Sequence, residues 1–183
     1  MDRNEALALL AAHVPDAHLV SHCIATAAIM KALAPRFSAD PAEWELIGIL
    51  HDIDYCEVGG DMQRHGILAY DILMSRGVPE PVARVIRGHN HLLFGGAYRE
   101  PVEIALQASD SVSGLIIACA LVKQGKLTEV SPSTVKKKFR EKSFAAGCDR
   151  DRIRLIEPLV GLDEFYGIAI AGLLKEKEEL GLS

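Results

Sequence analysis

Leu46-Ile47-Gly48-Ile49-Leu50-His51-Asp52-Ile53-Asp54-Tyr55 is an apolar run that ends in a His-Asp doublet and a second aspartate. Just upstream, Asp40-Pro41-Ala42-Glu43 reads as a helix start, with Asp at the N-cap, Pro at the first helical position and Glu placed to return a hydrogen bond. The helix it opens is predicted to end near Asp52, and at 3.6 residues per turn His51 shares a face with Trp44 and Ile47. An imidazole and a carboxylate thus sit at the end of a core-facing stripe.

Working outward, the same helical period recurs, and alternating β-branched runs bounded by hairpin turns are missing, so the chain is read as all-α. Upstream, one helix is predicted from about Asn4 to His13. A second opens at Pro15-Asp16, carries the stripe Leu19, Cys23, Met30 and Leu33, and stops at Pro35. Downstream, a loop through Gly59-Gly60-Asp61 precedes a helix from about Gln63 to Ser75, closed by Gly77. Pro79-Glu80-Pro81 starts another that ends between Gly88 and His91. After a loop from Phe94 to Glu100, Pro101 opens a long apolar helix to about Gln124. A basic helix follows from Ser131-Pro132-Ser133 to Gly147, then a short one from Asp149 to Pro158, and a last one from about Leu162 to Glu179. No repeat or linker marks a boundary, so residues 1–183 are expected to form a single domain, its centre at about 17–120 with helices 131–181 packed on it.

Composition narrows the function. Of 183 residues, 49% are hydrophobic and 25% charged, with a formal net charge of −5. A chain of this size buries a substantial core, and an acidic balance argues against binding nucleic acid by charge neutralisation. The run Lys136-Lys137-Lys138-Phe139-Arg140 is read as a solvated helix face. The longest uninterrupted apolar stretch, Leu115 to Val122, is far short of the roughly 18 residues needed to cross a bilayer. Met1-Asp2-Arg3-Asn4-Glu5 has no basic start before an apolar run, so the protein is expected to be cytoplasmic, with no membrane partner. Cys23, Cys56, Cys119 and Cys148 form no C-x-x-C pair and are expected to be free thiols.

The seven histidines are the informative count. His22 lies between Leu19 and Thr26/Ile29 at helical spacing, His65 precedes Leu68, Ala69 and Ile72, and His89 follows Val82, Val85 and Ile86. Asp110 sits inside the long apolar helix on the side of Leu106 and Ile117. Five predicted helices therefore each carry an ionisable group on the apolar stripe. Taken singly, each reads as a satisfied core histidine or a cap. Jointly they would need six separate partners, because an unpartnered buried imidazole or carboxylate costs several kcal/mol, whereas metal ions satisfy all of them at once. His13 and His18 have no such company and are expected at the surface.

These residues carry a resemblance. Leu19-Val20-Ser21-His22, Ile49-Leu50-His51-Asp52-Ile53, His65-Gly66, Ile86-Arg87-Gly88-His89 and Ala108-Ser109-Asp110 resemble, in order, the elements of the HD-domain superfamily of metal-dependent phosphohydrolases, and fit its His-Asp-Ile-Gly branch better than the single-metal branch. The resemblance implies a helical domain with two divalent transition-metal ions (Fe, Mn, Co, Ni or Zn). His22, His51, Asp52 and Asp110 would hold one ion, and His65, His89 and a bridging Asp52 the other. It implies hydrolysis of a phosphomonoester or phosphodiester of a small molecule, plausibly a nucleotide, by a metal-activated water, with Asp52 catalytic. Relatives on the same ligand set include di-iron oxygenases and non-catalytic signalling modules. The chain departs from the pattern at Asp54-Tyr55, where Gly-Lys is expected. Asp54 is read as a catalytic acid/base, as a group orienting a ligand histidine, or as a loop cap. His91 is read as a substrate or metal contact or a surface residue, and Arg64, Arg87 and Arg99 as phosphate contacts or solvated side chains. Oligomeric state is left open.

Overall fold

Short acidic side chains start the helices, as their preference for N-caps dictates. Asp2 and Glu5 form a reciprocal capping box on α1 (Arg3–His13). Asp16 accepts from the backbone of His18 and Leu19 at the start of α2 (Ala17–Leu33), and Asp40 accepts from Ala42 at the start of α3 (Pro41–Leu50). The computed structural model describes residues 1–183 and contains helices and turns without strands. A single turn, α4 (Tyr55–Val58), follows the His-Asp doublet, and then come α5 (Ile67–Ser75) and α6 (Glu80–Gly88). After another single turn, α7 (His91–Phe94), the chain enters the long α8 (Pro101–Leu121), then α9 (Pro132–Arg140), α10 (Arg150–Arg154) and α11 (Leu162–Lys175).

The long helix, the short one opened by Asp149 and the last one end earlier than the sequence reading, at Leu121, Arg154 and Lys175, and three further boundaries also differ. The helix expected from Gln63 begins only at Ile67, because Gly66 has a positive φ of 85° that no α-helix continues through. The doublet falls just outside α3, which ends at Leu50 with His51 as its C-cap. The basic helix expected to reach Gly147 stops at Arg140, and the following segment turns back through Ala145, which has a φ of 45°.

The core is one cluster of 44 buried residues running from Ala6 to Leu182. α2 lies at its centre, packed on α3, α8 and α11. Small residues permit that. A Cβ on Gly48 of α3 would stand 2.4 Å from the Ala27 Cα, and one on Gly172 of α11 would stand 2.5 Å from the Ala28 carbonyl oxygen. Close backbone approach on two sides explains the alanine-rich middle of α2. By length and composition, Ala17–Phe37 and Pro101–Leu121 would each suffice to cross a membrane, although His22, Lys31 and Asp110 interrupt their apolar runs. Here 50% and 67% of their apolar stretches are buried inside the bundle, so their apolar character is used in packing α2 and α8.

Candidate metal centre

The six predicted ligands come together between the first turns of α2 and the middle of α8, though not as six residues on helical stripes. His22 lies within α2 and Asp110 within α8. His51 caps α3, Asp52 follows it, His65 lies in the turn before α5, and His89 caps the C-terminus of α6. His51, Asp52 and His89 thus stand where their helices were expected to end, whereas His65, expected inside a helix from Gln63, is corrected to the turn before α5.

Each of the four imidazoles is anchored the same way. His51 Nδ1 donates to the Gly48 carbonyl oxygen at 2.8 Å and His89 Nδ1 to that of Ile86, each three residues back. His65 Nδ1 donates to Asp54 Oδ1 at 2.9 Å. Ser113 Oγ donates to the Asp110 carbonyl, which leaves its oxygen to face His22 Nδ1 at 3.4 Å. With the proton fixed on Nδ1, every Nε2 carries a lone pair, and the four Nε2 atoms converge on Asp52. Asp52 Oδ2 stands 3.4 Å from His51 Nε2 and 3.8 Å from His22 Nε2. Asp52 Oδ1 stands 3.2 Å from His89 Nε2 and 3.5 Å from His65 Nε2. One carboxylate thus turns one oxygen to each of two histidine pairs, and Asp110 Oδ1 joins the first at 3.1 Å from His22 Nε2.

These atoms fit a cation. His51 Nε2 is buried and has no hydrogen-bond partner, while His65 Nε2 and His89 Nε2 point at each other across 3.0 Å. Two lone pairs so placed repel unless a positive charge lies beside both. Ligand atoms about 2.1 Å from one ion lie about 3.0 to 3.4 Å apart for octahedral or tetrahedral angles, a range that holds the 3.0, 3.1, 3.2 and 3.4 Å spacings here, with His65–Asp52 at 3.5 Å and His22–Asp52 at 3.8 Å slightly longer. Groups of ligand atoms compact enough to hold an ion are formed by His22, His51 and Asp52 and by Asp52, His65 and His89. Imidazole and carboxylate without thiolate suit borderline transition metals.

Electrostatics point the same way. Burial alone would push the Asp52 carboxyl up, but His51 and His89 hold it well below the usual carboxylate range. Burial opposes protonation of His51, yet the Asp52 charge raises it well above an ordinary imidazole. Asp110 is likewise raised by burial and overcome by the His22 hydrogen bond and the Arg152 charge, which lower it. A site that draws a proton this strongly onto a desolvated imidazole attracts a divalent cation by the same field.

The ligands open on a cavity of about 320 Å³, walled by Leu19, Tyr55, Met62, Asn90, His91 and Arg152. His91 lies in this wall, its basicity lowered by burial and then by Arg152. Asp54 does not reach the cavity. It is fully buried behind His65, and its oxygens accept from His65 Nδ1, Gly66 N and Ala69 N. Of the three roles open in the sequence, these bonds fit two, orienting His65 and capping the turn into α5 at Gly66 and Ala69, and Asp54 makes no contact with the cavity that an acid/base role would need. Of the two readings given for Arg64, Arg87 and Arg99, their positions fit the solvated one. Arg64 and Arg99 are exposed and away from the cavity wall, and Arg87 lies over the rings of Tyr70 and Phe94 outside it. Arg152 is the arginine in the wall, and sequence reasoning passed over it because its segment carries no motif. Gln107 was also missed, although it lies one turn before Asp110 on α8. Its amide donates to the His89 carbonyl at 2.8 Å and accepts from Arg152 Nε at 2.6 Å. Asn90 ties the two histidine segments together by donating to the carbonyls of Met62 and His65. All four cysteines are free, as expected from their spacing.

A helical bundle that turns four oriented imidazoles onto a shared carboxylate defines an all-α protein built around a group of side chains able to hold a metal ion. The family model described as HD domain matches residues 19–118, which contain all six ligands and more than half of the chain, and the chain belongs to this family of metal-dependent hydrolases. No curated protein and no solved structure matches it.

Proposed function

We propose that the protein is a phosphohydrolase that cleaves a phosphate ester of a small molecule at a two-metal centre. The observation that carries the reading is the common Nδ1 anchoring of His22, His51, His65 and His89, which aims four Nε2 lone pairs at the two oxygens of Asp52. His22, His51, Asp52 and Asp110 would hold one divalent ion, and His65, His89 and Asp52 the other. Ions bound there would supply Lewis acidity, acidifying water and neutralising charge on phosphoryl oxygens.

The chain's own residues set the geometry. Asp52 keeps the two histidine pairs in register through its two oxygens. Asp54 holds the His65 proton at Nδ1, and the Gly48 and Ile86 carbonyls do the same for His51 and His89. Leu19, Tyr55 and Met62 give the cavity an apolar side that limits water and accommodates the organic part of an ester, while His91 and Arg152 line its polar side.

Elemental analysis of the isolated protein, followed by phosphate release from a panel of mono- and diesters with Mn, Co, Ni or Mg added, tests the reading. Bound transition metal and metal-dependent release that Asp52→Ala abolishes are the expected results. A protein that holds no metal and releases no phosphate with any of these ions would refute it.

A further inference from the structure

We propose that Arg152, delivered by α10 from outside the residues that match the family, is the group that grips a non-bridging oxygen of the substrate's phosphoryl group. The inference deepens the phosphohydrolase reading and rests on it. It begins with how the residue is held. Asp149 caps α10 by accepting from the backbone of Asp151 and Arg152, and Arg150 clasps the carbonyls of Phe144, Ala145 and Cys148, which fixes the preceding loop against the helix. Ile153 is buried, so α10 is seated on the core, and it packs on α8. Arg152 faces α8 from there. Its Nε donates to Gln107 Oε1 at 2.6 Å and its Nη2 to Asp110 Oδ2 at 2.5 Å.

Those two bonds use one edge of the guanidinium. An arginine has five N–H donors, so both N–H groups on Nη1 and one on Nη2 remain, and Nη1 makes no hydrogen bond within the protein. A cation needed only to balance Asp110 would require neither the second bond nor a defined plane. The Gln107 amide supplies that plane, because its own nitrogen is committed to the His89 carbonyl and its oxygen can face only Arg152. A planar donor fork, clamped on one edge and open on the other, is the arrangement that recognises phosphoryl oxygens. Arg152 is also the only arginine or lysine in the wall of the ligand cavity. The side chain is 17% exposed, accessible to a ligand in the cavity yet largely desolvated.

The test uses the metal-loaded full chain and inorganic phosphate as the probe. Titration calorimetry of wild type, Arg152→Gln and Arg152→Lys is combined with metal content and with steady-state ester hydrolysis. Metal content should be retained in both variants. Phosphate affinity should fall tenfold or more in Arg152→Gln and several-fold in Arg152→Lys, which keeps the charge but not the fork, with the ester KM rising more than kcat falls. Failure of wild type to bind phosphate, or unchanged affinity in a folded Arg152→Gln, would overturn the proposal. So would a loss of affinity that tracks lost metal and is restored by added metal, since Arg152 would then serve Asp110 alone. If Arg152→Gln does not fold, Arg152→Lys decides by the same criteria. Arginine-dependent phosphate binding without hydrolysis of any ester would leave the anion site standing and remove the phosphohydrolase reading instead.

Discussion

Replacing Asp54 by Asn changes almost no volume, yet it should disable one half of the centre. The Asp54 carboxylate receives three donors in a fully buried position: His65 Nδ1 at 2.9 Å on one oxygen, and Gly66 N at 2.8 Å and Ala69 N at 2.9 Å on the other. An amide has only one oxygen to offer. Two fixed backbone N–H groups outweigh one imidazole that can shift its proton, so the Asn oxygen should face Gly66 and Ala69 and its NH2 should face His65. The His65 proton then moves from Nδ1 to Nε2, the atom that stands 3.0 Å from His89 Nε2, and the lone pair needed for an ion is lost. Altering the group that orients a ligand histidine lowers metal affinity about 10- to 100-fold. Exchanging a charge-assisted hydrogen bond for a neutral one in a buried place costs about 1 to 3 kcal/mol, and each kcal/mol lowers Tm by about 2 to 4 °C at this chain length. Metal stoichiometry after dialysis and the His65 tautomer, read from long-range 1H–15N couplings in the metal-free protein, check both steps. A variant that keeps full metal content with the His65 proton still on Nδ1 would refute the reasoning.

Further outcomes follow from the same geometry. Asp52→Ala should lower bound metal more than either His51→Ala or His89→Ala, because only Asp52 faces both histidine pairs; equal losses by elemental analysis would argue against sharing. Gly66→Ala should destabilise by about 3 kcal/mol or more in urea unfolding, since a Cβ there meets the Arg87 carbonyl oxygen at 2.6 Å on a backbone with φ of 85°. Gly48→Ala pushes α3 off Ala27 and should cost about 1 to 3 kcal/mol while disturbing the carbonyl that anchors His51. Chelation should lower Tm, by an amount equivalent to about 2.7 kcal/mol where free metal had been at 100 times its dissociation constant; a Tm indifferent to chelator would contradict a metal bound to the folded state.

Much of this was legible in the chain. The helix starts at Asp16, Asp40 and Asp149 are written in capping chemistry, which is local and so survives without knowledge of the fold. The convergence of His22, His51, Asp52, His65, His89 and Asp110 was legible because burying so many ionisable groups demands a common partner. The arginines were not. Nearness in sequence to the ligands suggested Arg64, Arg87 and Arg99, but a neighbour one or two positions away, as Arg64 is to His65 and Arg87 to His89, points to another face, Arg99 is ten positions from His89, and all three stand outside the cavity. Arg152 is 42 positions from its partner Asp110, and that pairing depends on how α10 seats against α8, which no local pattern encodes.

The placement of His51 and His89 at helix ends has a physical source. The last carbonyls of a helix lack intrahelical partners, and a histidine at the C-cap can turn its Nδ1 back onto one of them. His51 does this with the free Gly48 carbonyl, and His89 with that of Ile86, which also accepts the His89 backbone N–H at 3.3 Å, so at both ends a residue three positions back fixes ring orientation and tautomer. A histidine in mid-helix has no free carbonyl to use, and His22 accordingly borrows the hydroxyl of Ser113 from α8. His65, outside any helix, needs a buried carboxylate, which is why Asp54 stands where it does. The ligand set therefore divides by the source of its second hydrogen bond. His51 and His89 are oriented by backbone that no side-chain substitution deletes, whereas His22 and His65 depend on Ser113 and Asp54. Ser113→Ala should accordingly weaken the ion held at His22 and leave that at His65 and His89 intact, the complement of Asp54→Asn. If the two variants deplete the same ion, the two halves of the centre do not fill independently.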